Sequence, residues 1–188
     1  FPAPVVAIIT SSVANGTTPA AQVVVAFQFP PVAVLILVAA LAKEKVNIII
    51  MMADDLGYGD LGSYGQKLIP TPNLDRLAAE GVRFTQFYSG STVCAPSRCA
   101  LMTGKDMGHS YIRGNKETPL RDSDVTLPKL AKKKGYITGM FGKWCLGLEN
   151  NSGSPEKQGW DEFLGYLHHR QAHNFYVKNL WETRNGKT

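Results

Sequence analysis

From Val46 onward the chain alternates short apolar runs with polar stretches of helical spacing, and this alternation predicts strands and helices in turn. Val46 to Ala53 is a nearly continuous apolar run, the pattern of a parallel strand covered on both faces. Asn73 to Glu80 predicts a short helix, with Asn73 placed to cap its start and Gly81 to stop it. Val82 to Tyr88 is strand-like, and Pro96 to Thr103 helical. Leu127 to Lys134 predicts a helix ended by Gly135, and Tyr136 to Phe141 a further strand. A β-α-β-α order of this kind predicts an α/β domain built on a mainly parallel β-sheet flanked by helices. Open sheets of that type carry their sites at the carboxyl ends of the strands.

The first part of the chain breaks this pattern. Residues 1–31 are rich in Ala, Val, Thr, Ser and Pro and show neither period, so no folded role is expected of them. Val32 to Ala42 is an apolar run ending Ala40-Leu41-Ala42, followed by Lys43-Glu44-Lys45. Its length suits the core of a signal peptide, and Ala-Leu-Ala suits a signal-peptidase site, although residues 1–42 hold no charge to form a basic n-region. The run is too short to span a bilayer, and Pro30-Pro31 discourages extending it backwards. The expected organisation is an uncharged leader over 1–42, with its signal-peptide core at 32–42, and a folded α/β segment over 43–188. Export to the periplasm or the extracellular space is the expected destination.

At 188 residues with 44% hydrophobic positions the chain has the size and material of one domain. The net charge of +5 falls wholly after residue 42 and favours anionic partners. No dense basic run interleaved with aromatics points to nucleic acid, and Lys132-Lys133-Lys134 reads as the solvated end of a helix. Three cysteines (Cys94, Cys99, Cys145) cannot all pair with one another, and none shows metal-type CxxC spacing. Composition alone would make Cys94 and Cys99 a disulfide or two buried thiols.

The candidate chemistry lies in a few short blocks. Asp54 and Asp55 stand where the apolar strand stops; adjacent carboxylates repel unless a cation lies between them or both face water. Read alone, two such carboxylates face water; a hard divalent cation is the other partner that their oxygens suit. Asp60 reads as a loop residue. Cys94-Ala95-Pro96-Ser97-Arg98 is Cys-x-Pro-Ser-Arg. Pro96 is tolerated in a first helical turn, which puts Cys94 near a helix N-terminus, where unpaired N–H groups and the dipole favour negative charge. Arg98, four residues on, projects from the same face with planar paired donors. Lys143 is the next-to-last residue of the block Gly135-Tyr136-Ile137-Thr138-Gly139-Met140-Phe141-Gly142-Lys143-Trp144.

Taken in order with Asn47–Gly57, Thr71–Ala78 and Gly81–Thr85, these blocks resemble the sulfatase family from Asn47 to about Trp181. The resemblance implies an alkaline phosphatase/sulfatase-like fold, here incomplete, because the family's catalytic domains are longer and its later metal and lysine motifs have no counterpart. It implies a sulfuric ester hydrolase whose Cys94 is oxidised to formylglycine by a maturation enzyme. Cys94, Arg98 and Lys143 would be catalytic, and Asp54, Asp55 and the residue at Cys94 would ligate a divalent metal, usually calcium. The hydrated aldehyde would attack sulfur through one hydroxyl and expel sulfate by loss of the other's proton. Sulfated small molecules or sulfated glycans would be the substrates, with no nucleic acid and no stable membrane span.

This chain departs from the commonest pattern in one place, since Cys145 stands where many sulfatases have a histidine after Gly-Lys-Trp. The segments Gln158–Tyr166 and Arg170–Tyr176 resemble a bacterial arylsulfatase-like branch that often lacks it. His173 is then the candidate for a substrate-side proton-transfer role, while His109, His168 and His169 read as surface or structural. Trp160, Phe163 and Tyr166 read as core. Two rivals remain at this point: a phosphatase or phosphonate monoester hydrolase of the same superfamily, and a catalytically silent anion-binding protein. The segment by itself is expected to be inactive.

Overall fold

The computed structural model describes residues 8–9, 22–25 and 47–184, which fall in two compact units, Phe1–Ser89 and Gly90–Thr188. The first unit holds a four-stranded sheet of β1 (Ile8–Ile9), β2 (Gln22–Val25), β3 (Ile48–Ile50) and β4 (Val82–Arg83), in the order β3-β2-β1-β4. β2 and β3 run parallel from Gln22 opposite Ile48, and β1 is antiparallel to both β2 and β4. Two pieces of residues 1–31 therefore enter the sheet, where no folded role was expected. Both are β-branched-rich segments of the kind that fit a pleated surface. The apolar run 32–42 and its signal-peptide reading lie outside the described residues.

β3 is shorter than the apolar run predicts and forms an edge of the sheet, so Ile49 stays 44% exposed instead of covered on both faces. α1 (Pro72–Glu80) starts earlier than expected, with Thr71 rather than Asn73 at the cap. Pro72 explains the shift, because its fixed φ and missing N–H suit the first helical position. Thr71 Oγ1 accepts from the Gly62 N–H at 2.8 Å and donates to Asp75 Oδ1 at 3.1 Å, which also accepts from the Ser63 N–H. The strand expected over Val82–Tyr88 ends at Arg83. Phe84 and Phe87 instead turn into a small core with Leu61, Leu74 and Leu77, closed by the Tyr64 hydroxyl on the Phe84 carbonyl at 2.7 Å.

The second unit holds α2 (Cys94–Thr103), α3 (Leu127–Lys133), α4 (His169–Ala172) and a sheet of β5 (Gly139–Lys143), β6 (Glu162–Tyr166) and β7 (Trp181–Arg184) in that order. β5 and β6 are parallel, with Lys143 opposite Tyr166; β6 and β7 are antiparallel. The order is helix, helix, strand, strand, helix, strand, so the strict alternation that the pattern predicts is not kept, and the described pairings are a mixture of parallel and antiparallel. α2 is buried along most of its length, so the family block at its start is rigidly seated. Gly104 ends it in the left-handed conformation, its N–H returning to the Ala100 carbonyl at 2.8 Å.

The core of this unit is formed by Trp144, Phe163, Ile112, Leu120 and Leu146. Phe163 is core as expected, while Trp160 and Tyr166 are only half-buried. The loop after β5 is pinned by polar contacts: Trp144 Nε1 donates to the Gly153 carbonyl at 2.7 Å, and Gln158 Nε2 to the Ser152 carbonyl at 2.6 Å. Cys94, Cys99 and Cys145 are all free thiols, and Cys99 is buried on α2, as expected. Among the described residues no helix is long and apolar enough to cross a membrane.

Candidate active site

In the first unit, Asp54 and Asp55 follow β3 and are both exposed. Asp55 takes a left-handed backbone (φ 60), a conformation that aspartate tolerates better than most residues. Asp60 accepts the Gly57 N–H at 2.6 Å and closes the local turn, a loop role as expected.

In the second unit, Cys94 is the first residue of α2, two positions earlier than the helix start expected at Pro96. Val93 is extended and caps it without a side-chain bond, and Pro96 sits within the first turn. The Cys94 Sγ lies 3.4 Å from Asn115 Oδ1, which also accepts the Ala95 N–H at 3.0 Å. One turn on, Arg98 is only 7% exposed, and its Nη1 donates to the Lys143 backbone carbonyl. The fold thus brings the arginine of the Cys-x-Pro-Ser-Arg block onto the chain position that carries the lysine.

Lys143 is the last residue of β5 rather than a residue beyond its end. The strand starts late because Thr138 is already committed. Its N–H donates to Asp161 Oδ2 at 2.9 Å and its hydroxyl to the Gly159 carbonyl at 2.7 Å. Past Lys143 the ladder continues through the Trp144 N–H to the Tyr166 carbonyl and the Cys145 N–H to the Leu167 carbonyl. Cys145 adopts φ 65, where an L side chain is strained by roughly 1–2 kcal/mol. Cys145→Gly should therefore be more stable than Cys145→Ala by about 1 kcal/mol, since both lose the thiol and only alanine keeps the strained Cβ. Paired urea titrations measure this, and equal midpoints would refute it.

Cys145 shares a cleft with Lys116, Glu117, Leu167, His168 and His169. His168 caps α4: its Nδ1 accepts the Arg170 N–H at 3.0 Å, so the proton facing Glu117 Oε1 at 2.6 Å is carried by Nε2. That bond is the main cause that holds the Glu117 carboxyl below the usual carboxylate range. The His168 and His169 rings stack at 4.3 Å. Burial pulls His169 below its ordinary value, and the neighbouring positive charges of Arg170 and Lys143 act in the same direction. His168 caps a helix, His169 stacks on the His168 ring, and both line the cleft. His173 closes α4 at its C-terminal end and is exposed. His109 is a surface residue with its Nδ1 2.8 Å from Asp106 Oδ2.

Asn115 is the site residue that sequence reasoning missed. Gly114-Asn115-Lys116 reads as an ordinary polar turn, and nothing in its pattern announces a contact with a helix start some twenty positions earlier.

Residues 46–185 match the family model described as Sulfatase. The chain belongs to the sulfatase family. It is 44% identical over 138 residues to human arylsulfatase A, and 42% identical over 136 residues to human N-acetylgalactosamine-6-sulfatase. These stretches take in 70% and 66% of this chain but 27% and 26% of those proteins, so the chain spans about a quarter of the length of the curated relatives it matches. Among solved structures, the PsFucS1 sulfatase from Pseudoalteromonas sp. superposes with a TM-score of 0.62 at 29% identity, covering 84% of this chain and 37% of that one. Ps i-CgsB in complex with k-i-k-neocarrahexaose gives 0.59 at 30% identity, covering 73% and 36%.

Proposed function

We propose that this sulfatase-family chain carries the nucleophile and anion-binding end of a sulfuric ester hydrolase acting on an aryl sulfate or a sulfated glycan. The observation that carries the reading is the joining of Cys94, Arg98 and Lys143: nucleophile position and arginine one turn apart on α2, and that arginine bonded to the backbone of the lysine. A helix start, a guanidinium and an ammonium make an anion-binding arrangement. The glycan side of the proposal is supported by the neighbour that binds a neocarrahexaose and by the N-acetylgalactosamine-6-sulfatase relative.

In this reading residue 94 is formylglycine, installed by a maturation enzyme acting on Cys94–Arg98, and it works as the hydrate. One hydroxyl oxygen bonds to sulfur as the ester S–O bond breaks and the alcohol leaves with a proton. Loss of the second hydroxyl's proton then restores the aldehyde and breaks the bond to the departing sulfate. Splitting one displacement in this way is covalent catalysis. Lys143 binds the sulfate oxygens, and His173 is the proposed proton partner in place of a histidine at Cys145.

Asp54 and Asp55 are the proposed ligands of a divalent cation, calcium by family resemblance. Their donor set fits in kind, being two hard, exposed carboxylates on consecutive residues. Among the described residues no cluster of three or more candidate ligands forms, so these two alone do not complete a shell of about six to eight oxygens. Such an ion would supply positive charge and Lewis acidity towards an anionic ester. Export follows the family resemblance and the leader, and remains part of this proposal.

Mass spectrometry of the tryptic peptide Phe84–Arg98 from the full-length, active protein tests the reading. Residue 94 is expected to have lost sulfur and gained an aldehyde oxygen. An unmodified thiol in active protein would overturn it. Turnover of matched aryl sulfate, phosphate and phosphonate esters separates the reading from its superfamily rivals, sulfate being expected to turn over fastest.

A further inference from the structure

Asn115 sits in a held segment. Ile112 is buried, Arg113 bonds back through Nε to the Ser110 carbonyl at 2.9 Å and through Nη2 to the Gly108 carbonyl at 2.8 Å, and Glu117 is tied to His168. The segment presents one side-chain oxygen to two groups at once, the Cys94 Sγ at 3.4 Å and the Ala95 N–H at 3.0 Å. The amide orientation is fixed chemically. Ala95 N–H is a donor, so the atom facing it has to be the carbonyl oxygen; the amide nitrogen would set donor against donor. That oxygen satisfies one of the N–H groups that a helix start leaves without an intrahelical partner. It also touches the side chain of the residue on which the proposed chemistry depends.

We propose that Asn115 is a positioning residue for the nucleophile at position 94. The inference rests on the sulfuric ester hydrolase reading and extends it. The Cys94 Sγ stands in for the side-chain oxygens of the hydrate, and either of those hydroxyls is a better donor to Asn115 Oδ1 than a thiol. An amide oxygen takes no proton near neutral pH, so Asn115 does not act as the base. It holds one hydroxyl by accepting its hydrogen bond and so restricts rotation about the side-chain bond of residue 94. The other hydroxyl is then the one aimed at sulfur. Because the same oxygen is anchored on the Ala95 N–H, the nucleophile is oriented relative to the helix start that helps to receive the anion.

The test uses the full-length protein co-produced with a formylglycine-generating enzyme. Asn115→Ala is expected to lower kcat by about 10- to 100-fold, the scale of a misaligned reacting group, with KM changed by less than about 3-fold. The formylglycine content of the Phe84–Arg98 peptide should be unchanged, because Cys94–Arg98 is intact. Asn115→Asp keeps the accepting oxygen and adds a negative charge. Its kcat is expected to return to within about 3-fold of the parent while KM for the anionic substrate rises. A parental kcat in Asn115→Ala overturns the proposal, and so does an equal loss of kcat in both variants with matching drops in thermal midpoint. Should Asn115→Ala not fold, Asn115→Gln, whose oxygen is displaced by one methylene, takes its place with the same two outcomes. Failure of the underlying reading looks different: active parental protein would show an unmodified Cys94, whatever Asn115 does.

Discussion

Cys94→Ala in the full-length protein should abolish sulfate ester turnover, with kcat falling by on the order of 10⁴–10⁶-fold, the scale seen when a covalent nucleophile is removed. The fold should survive. Cys94 is a half-buried first residue of α2, and alanine is the better helix former. The deletion removes one weak thiol contact to Asn115, whose stronger bond to the Ala95 N–H stays in place. Initial rates on an aryl sulfate, alongside near-ultraviolet circular dichroism and a thermal melt, measure both halves. Turnover within about tenfold of the parent would falsify the assignment of residue 94 as nucleophile.

Gly153→Ala should be among the most damaging single-methyl additions in the second unit. A Cβ at Gly153 would lie 2.1 Å from the Leu146 carbonyl oxygen and 2.7 Å from the Leu120 nitrogen. Both are backbone atoms, and they are bonded to each other, Leu120 N–H to Leu146 carbonyl, at 2.8 Å. No rotamer change relieves such a clash, so the loop has to move and carry the Trp144–Gly153 bond with it. A loss of about 3 kcal/mol is expected, the upper part of the usual overpacking range. Chemical denaturation of the full-length protein gives the number, and activity should fall in parallel because Lys143 precedes Trp144 directly. A change below about 0.5 kcal/mol would show that the loop is not held where the structure puts it.

The elements legible in the sequence are those whose cause is local. Period and punctuation locate α1, α2, α3 and the β5 region, and Cys94 with Arg98 is readable because four residues make one turn. Boundaries moved where a single side chain competes with the period: Pro72 advanced the start of α1, and Asp161 captured Thr138 and delayed β5. Contacts between side chain and backbone across long separations left no trace. Arg98 on the Lys143 carbonyl and Asn115 on the Ala95 N–H are of this type, since any residue at 143 or 95 supplies the same backbone partner. The strands at Ile8–Ile9 and Gln22–Val25 were equally silent, because an aperiodic, uncharged stretch gives no register to read.

The seating of Trp144 gives the molecule an optical reporter. Its ring is 1% exposed and its N–H is spent on the Gly153 carbonyl, whereas Trp160 and Trp181 are only half-buried. The indole should emit to the blue of the other two, and it lies directly between Lys143 and Cys145 in the chain. With Trp160 and Trp181 replaced by phenylalanine, Trp144 is the one indole left within residues 1–188, and its emission would report on the strand end. Such a protein would let the release of the Arg98 clamp be watched in real time, separately from any turnover of substrate.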